Sequence, residues 1–471
     1  MVFHSFAFLF VFFPAVVVLN WVLRARGRVT ARKWLLLVAS LTFYVTSGLQ
    51  ALPLLLGSLL MNWIVAHRIR QALPGSAVRR NWLTLGLALN IALLVAVKYS
   101  HFIVGNIDAI GGWQLDLPAF TLPLGVSFFT IQQTMYLVDC YEDLTPPAPF
   151  FEHAIFILFF PYIAAGPIMR AGALLPQLDS KESPSESRLV TGFVIFVIGL
   201  CKKVVLADTF GRFADAGFAA INPLGLVEGW VTAASYTFQL YFDFSGYSDM
   251  AVGIGLMLDV KLPENFNSPL KATSVIDFWK RWHITLSNFI TTYLYTPLVR
   301  RMRPLTFSKA MLVTLLVMAI AGAWHGAAWT FLVFGVLHGL GLVTNHVWRK
   351  AKFKLPAPVA WLLTFIFLVV SFVVFRANGW TQAGTVLSGM LGMHGAGSHG
   401  NFDGISRIDR AWCYLVMLVG VVVALGVQNS NYFARSFKPS WRWSVVCASA
   451  LVLSLLFLNS SAIMGFIYRD F

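Results

Sequence analysis

The chain has 471 residues, of which 58% are apolar and only 12% charged, with a formal net charge of +15. Soluble domains carry roughly a quarter charged residues, so most of this chain must have lipid rather than water as its solvent. The positive charge sits in short loops between apolar stretches without any nucleic-acid-binding motif. Topology signalling and contact with anionic membrane lipids explain it, and nucleic acid is excluded as a partner.

Apolar stretches of bilayer-spanning length recur from end to end, roughly eleven to fourteen of them, some short or broken. Backbone groups in lipid must be satisfied within each segment, so the spans are expected to be helices. Segments such as 35–43 and 365–375 lack the alternation of a barrel strand. The first span, 6–23, has no Lys or Arg before it and is followed by Arg24, Arg26, Arg28, Arg32 and Lys33. With no small-residue cleavage site evident, it reads as an uncleaved span whose N-terminus lies outside. Organisation along the chain reads as N-terminal helices over 1–115, a core over 116–350, and C-terminal helices over 351–471. Segments 150–161 and 380–393 look like short or interfacial helices. A Gly-rich connection over about 379–410 holds His394 and His399, too sparse a pair for a metal site; it reads as a flexible loop. Cys140, Cys201, Cys413 and Cys447 form no close pair, so neither a disulfide framework nor a zinc site is expected.

Polar groups at membrane depth are costly, about 2.5–3.5 kcal/mol for a charge at a helix centre, and tend to mark function. They concentrate in 122–141, 239–267, 278–297 and 322–338. In the second region Gln239, Asp243 and Tyr247 share one helical face, and Ser245 and Asp249 another. Carboxylates inside a span need partners; Arg281, Lys202 and Lys203 qualify. These groups read either as a structural hydrogen-bond network or as chemistry. A loop over 263–269, with Asn265, follows. In 278–287, Trp279, His283 and Ser287 fall at i, i+4 and i+8, on one helix face, with Lys280, Arg281 and Trp282 beside them. An interfacial helix explains the tryptophans and cations but not His283 or Ser287.

Basic residues bound 309–349, a stretch of about forty residues, and two spans of about twenty leave almost no loop. The chain must reverse near Gly326-Ala327-Ala328, where glycine permits the turn. Sixteen helical residues from Lys309 cover about 24 Å, which places His325, flanked by Trp324, deep in the bilayer. His338, mid-way along the return, is either a packing residue or part of a site. Two imidazoles, His283 and His325, could meet across a cavity, and a neutral imidazole accepts a proton from a hydroxyl. No Gly-rich phosphate loop, zinc-protease helix or serine elbow is present.

Together these blocks resemble the bacterial membrane-bound O-acyltransferases. FWKRWHITLSNFITTYLY (278–295) is similar to their Trp-His-Ile-Ser-Leu-Ser signature, and GAWHGAAWTFLVFGVLHG (322–339) to their catalytic-histidine segment. Blocks 123–141, 160–170 (ending on Arg170) and 239–267 resemble the alginate O-acetyltransferase type, and the likeness runs to about Ala377. The resemblance implies an all-α polytopic membrane fold, with helices ringing a central funnel, in the cytoplasmic (inner) membrane. It implies His325 as the active-site histidine and His283 as a second histidine in the pore. Around them it suggests Trp324, His338, Trp279, Arg281, Trp282 and Ser287, with Gln239, Asp243, Tyr247, Asp249, Asn265 and Arg170, as substrate or pore residues. Acetyl-CoA is the implied donor, with no permanently bound cofactor and no metal. The acetyl group would pass to a periplasmic or membrane-anchored acetyltransferase partner, beside polysaccharide synthase machinery. The acceptor would be an alginate, cellulose or peptidoglycan type of glycan. D-alanyl transfer to teichoic acid, a transporter and a scaffold are the competing readings. After Tyr295-Thr296-Pro297-Leu298, where close relatives of the alginate type have Gly-Gly-Asn-Arg, this chain has Val299-Arg300-Arg301-Met302-Arg303.

Overall fold

A computed structural model describes residues 1–113, 117, 122–460 and 465–467. Among the described residues the regular elements are helices, with no strand. Among the described residues nine helices are long and apolar enough to cross a membrane, from Phe8–Ala25 to Trp441–Asn459. Other apolar stretches form shorter helices, such as Val29–Val45 with 17 residues and Val126–Tyr141 with 16. The boundary expected at 115/116 lies outside the described residues. By contacts the chain divides into two compact units, one of 1–196 with 248–263, the other of 197–247 with 264–467.

The first unit is tied together by buried polar groups. Arg24 pairs with Asp259 at 2.8 Å, and Arg188 meets the same carboxylate at 2.7 Å. The Arg32 guanidinium donates to the Asn20 Oδ1 at 3.0 Å and to the Leu258 carbonyl at 2.9 Å. Lys33 pairs with Glu152 at 2.6 Å. Three of the five cations that follow the first span are therefore structural ties, and Arg26 and Arg28 are the exposed pair. Two neighbouring spans are joined by reciprocal amide bonds between Asn62 and Asn90, at 3.2 and 2.7 Å. Such interhelical hydrogen bonds hold helices together in lipid, where the hydrophobic effect does not. At the unit's surface Arg79 hydrogen-bonds Asp143 and holds its carboxyl below the usual range.

The second unit is built around a helical hairpin, Phe307–His325 and Trp329–Lys350. Leu312, Leu316 and Ile320 form an exposed stripe at i+4 spacing, while Val313, Val317 and Ala321 are buried. An exposed apolar stripe beside a buried one suits a helix with lipid on one side and protein on the other. The two limbs touch backbone to backbone. A Cβ on Gly322 would lie 2.7 Å from the Gly335 Cα, and one on Gly335 would collide with the Met318 carbonyl oxygen. The connection 379–410 is only partly loop, because Trp380–Met390 is helical. Nor is its remainder loose. Ser398, the His399 N–H and Asn401 all donate to the buried carboxylate of Glu228, at the start of the 32-residue helix Leu226–Met257.

Candidate active site

His325 is the last residue of its helix and is buried. Its ring lies against Trp324 at 5.1 Å, Phe375 at 5.4 Å and Phe334 at 6.3 Å. The chain reverses over 326–328, as the spacing predicts. Glycine is needed there for a different reason from the expected one. Gly326 has φ −163°, extended backbone open to any residue. What it provides is space, since a Cβ would run into the Phe331 ring.

His338 lies within the return helix and is fully buried. The Trp279 indole Nε1–H donates to its Nδ1 at 3.2 Å, and an indole nitrogen can only donate. Nδ1 is therefore the acceptor, and the ring proton sits on Nε2, which donates to the Ser371 Oγ at 3.0 Å. The Ser371 hydroxyl in turn donates to the Leu368 carbonyl at 2.9 Å. The lone pair of His338 is committed to Trp279, which fits a packing and positioning residue.

The segment carrying His283 corrects the expected helix face. Val275–Trp279 is one short helix and Ile284–Phe289 another, and His283 stands at the break with φ 43° and ψ 53°. Trp279, His283 and Ser287 do not share a continuous helical surface. The competing interaction is visible. The loop 264–267 runs alongside, with Asn267 N–H donating to the Arg281 carbonyl and Ile284 N–H to the Asn265 carbonyl, both at 2.9 Å. A left-handed conformation at a non-glycine residue costs on the order of 1–3 kcal/mol and persists where surrounding contacts over-determine it.

Asn265 decides the state of the His283 ring. Its Oδ1 accepts from the Thr285 N–H at 3.3 Å and the Thr285 hydroxyl at 2.9 Å, which fixes that atom as oxygen. The same oxygen lies 3.1 Å from the His283 Nδ1. Nδ1 must then carry the proton, and the basic lone pair lies on Nε2. Phe244 stands edge-on to the ring at 4.8 Å. Sequence spacing could not reveal Thr285, Ser371 or Phe244 as supports, because each meets its partner only through tertiary folding.

Aromatic rings join the three histidines' surroundings. Phe334 lies 4.4 Å from His338 and stacks on Phe372 at 6.1 Å, and Phe372 lies 5.5 Å from Trp282, next to His283. The long helix Leu226–Met257 is continuous, so Gln239, Asp243 and Tyr247 do fall on one face; Asp249, like them, is buried. Lys203, one of the expected cations, reaches Asp243 at 2.6 Å and Asp208 at 2.8 Å. Asp243 also accepts from the Ile467 N–H at 2.9 Å, and Tyr247 stacks on Phe466 at 4.4 Å. This geometry favours the network reading of these carboxylates over direct chemistry. Arg281 goes elsewhere than expected, to Asp277 one turn earlier at 2.8 Å. Ser287 donates to the Trp282 carbonyl at 3.4 Å. Arg170 is exposed, immediately before the helix Ala171–Asp179 of the first unit. Among the described residues no group of three or more His, Cys, Asp or Glu could hold a metal ion.

A family model, the membrane-bound O-acyltransferase family, matches residues 112–389, a span that includes His283, His325 and His338. The chain belongs to that family. This acyltransferase is 37% identical to the peptidoglycan O-acetyltransferase of Helicobacter pylori, over 100% of its own length and 98% of that protein's. It is 33% identical to a probable alginate O-acetylase of Pseudomonas putida, over 100% of both. The teichoic acid D-alanyltransferase of Bacillus subtilis is more distant, at 28% identity over 54% of this acyltransferase and 69% of that protein. The protein is thus a multi-pass membrane enzyme of the acyltransferase class.

Proposed function

We propose that this enzyme takes an acetyl group from a cytoplasmic thioester, acetyl-CoA, and delivers it across the inner membrane for O-acetylation of an extracytoplasmic glycan of the peptidoglycan or alginate type. The single observation that carries this reading is the end-to-end similarity to the peptidoglycan O-acetyltransferase. In this reading the N-terminus lies outside, and a periplasmic or membrane-anchored acetyltransferase partner passes the acetyl group to the polymer beside its synthase.

His325 is the group we assign to the reaction. A hydroxyl attacks the thioester carbonyl carbon, so that a C–O bond forms and the C–S bond breaks. His325 accepts the hydroxyl proton and returns it to the departing sulfur, which leaves as the thiol. A positioned general base of this kind contributes about 10²–10⁴-fold. In this reading His283, with its lone pair on Nε2, shares that proton, while Asn265 holds the tautomer. His338, with both nitrogens engaged by Trp279 and Ser371, is a packing residue in this reading. Aromatic walls around the imidazoles exclude water and strengthen each polar contact.

The test is thiol release from acetyl-CoA by the purified, lipid-reconstituted enzyme with partner and acceptor present. Thiol release that needs the acceptor supports the reading. Activity with a D-alanyl carrier protein and none with acetyl-CoA would replace it with the teichoic acid reaction.

A further inference from the structure

We propose that the groove between the helices Trp329–Lys350 and Ala357–Arg376 is a binding site for an anionic phospholipid. The groove is a cavity of about 550 Å³ within the second unit. Its long walls are apolar and face outward, with Leu340 48% and Leu363 55% exposed and Phe367 at the floor. Both walls belong to helices long and apolar enough to cross a membrane, so acyl chains are the solvent at that surface.

One end of the groove is different in kind. Arg349 lines it, is exposed, and has no carboxylate partner among the described residues. Trp348 lies beside it, 42% exposed, and Lys352 and Lys354 follow in the next loop. Lys350, by contrast, is directed over the Phe307 ring at 4.6 Å. An amphipathic tryptophan next to an unpaired guanidinium, at the end of an apolar trough, matches a lipid lying with its chains along the helices and its phosphate on Arg349. Positive charge at the mouth selects an anionic headgroup over a zwitterionic one. This site does not depend on the acyl-transfer reading.

The groove also touches the elements that hold the histidines. Asn345 on its wall accepts from the Val275 N–H at 2.7 Å, at the start of the short helix that ends in Trp279. Phe367 lies 5.1 Å from His338. A bound lipid would therefore brace the helix whose indole holds His338.

The experiment uses the full-length protein in nanodiscs of equal parts phosphatidylglycerol and phosphatidylcholine, with retained lipid counted by native mass spectrometry. Wild type is expected to retain phosphatidylglycerol in preference. Arg349→Ala is expected to weaken that retention roughly fivefold, the effect of about 1 kcal/mol per basic side chain near the surface. Lys352→Ala, which does not line the groove, should weaken it less than Arg349→Ala does. Equal retention of the two lipids, or an Arg349→Ala protein that retains phosphatidylglycerol as wild type does, overturns the proposal. So does displacement of the lipid by desulfo-coenzyme A, which would make the groove a donor seat, or a dimer that buries Leu363 and excludes lipid.

Discussion

His338 and His283 are both sealed from solvent, and the chain holds them differently. His338 sits inside a continuous helix and has a partner on each nitrogen, Trp279 on Nδ1 and Ser371 on Nε2. His283 sits at a helix break, its backbone left-handed, with Asn265 fixing the proton on Nδ1. One lone pair is spent on an indole N–H, and the other lies on Nε2 because the Asn265 Oδ1 accepts from Nδ1–H. Burial does not distinguish the two histidines. The direction of the hydrogen bond does, because it decides which ring nitrogen carries the lone pair.

Three substitutions sharpen that contrast. The largest effect is expected for His283→Ala, with acetyl transfer falling by roughly 10²-fold while size-exclusion behaviour and thermal unfolding stay near wild type. An equally folded His283→Ala enzyme with normal turnover would put His283 with His338 among the packing residues. Next is Asn265→Ala, which frees the ring to adopt either tautomer. Turnover should drop by about tenfold, with a smaller change in KM, since orientation rather than substrate affinity is lost. His338→Leu should act on stability instead. It strands the Trp279 N–H, at about 1–3 kcal/mol, while the Ser371 hydroxyl keeps the Leu368 carbonyl. The variant should unfold at lower temperature, and the folded fraction should keep most of its specific activity.

The hairpin was legible in the sequence because two quantities suffice for it, the spacing of basic boundaries and the thickness of a bilayer. Those alone place His325 at a chain reversal, where the structure has it. The role of Gly326 was not legible, because the clash it avoids is with the Phe331 ring, a contact made only once the limbs are packed. The helix face of Trp279, His283 and Ser287 failed for a similar reason. Its i, i+4, i+8 spacing is that of a helix, yet loop 264–267 competes for the backbone of Arg281 and Ile284 and wins. Lys203 could be chosen as a carboxylate partner from charge balance. Arg281 could have been withdrawn from that role, since Asp277 stands four residues before it on the same turn.

Chemistry by His325 at the hairpin tip can be read from single-turnover thiol release from acetyl-CoA by His325→Ala. With partner and acceptor present and equal amounts of folded, monodisperse protein, the rate is predicted to fall by about 10²–10⁴-fold, with the unfolding midpoint little changed. A variant that releases thiol at the wild-type rate would exclude His325 from the chemistry.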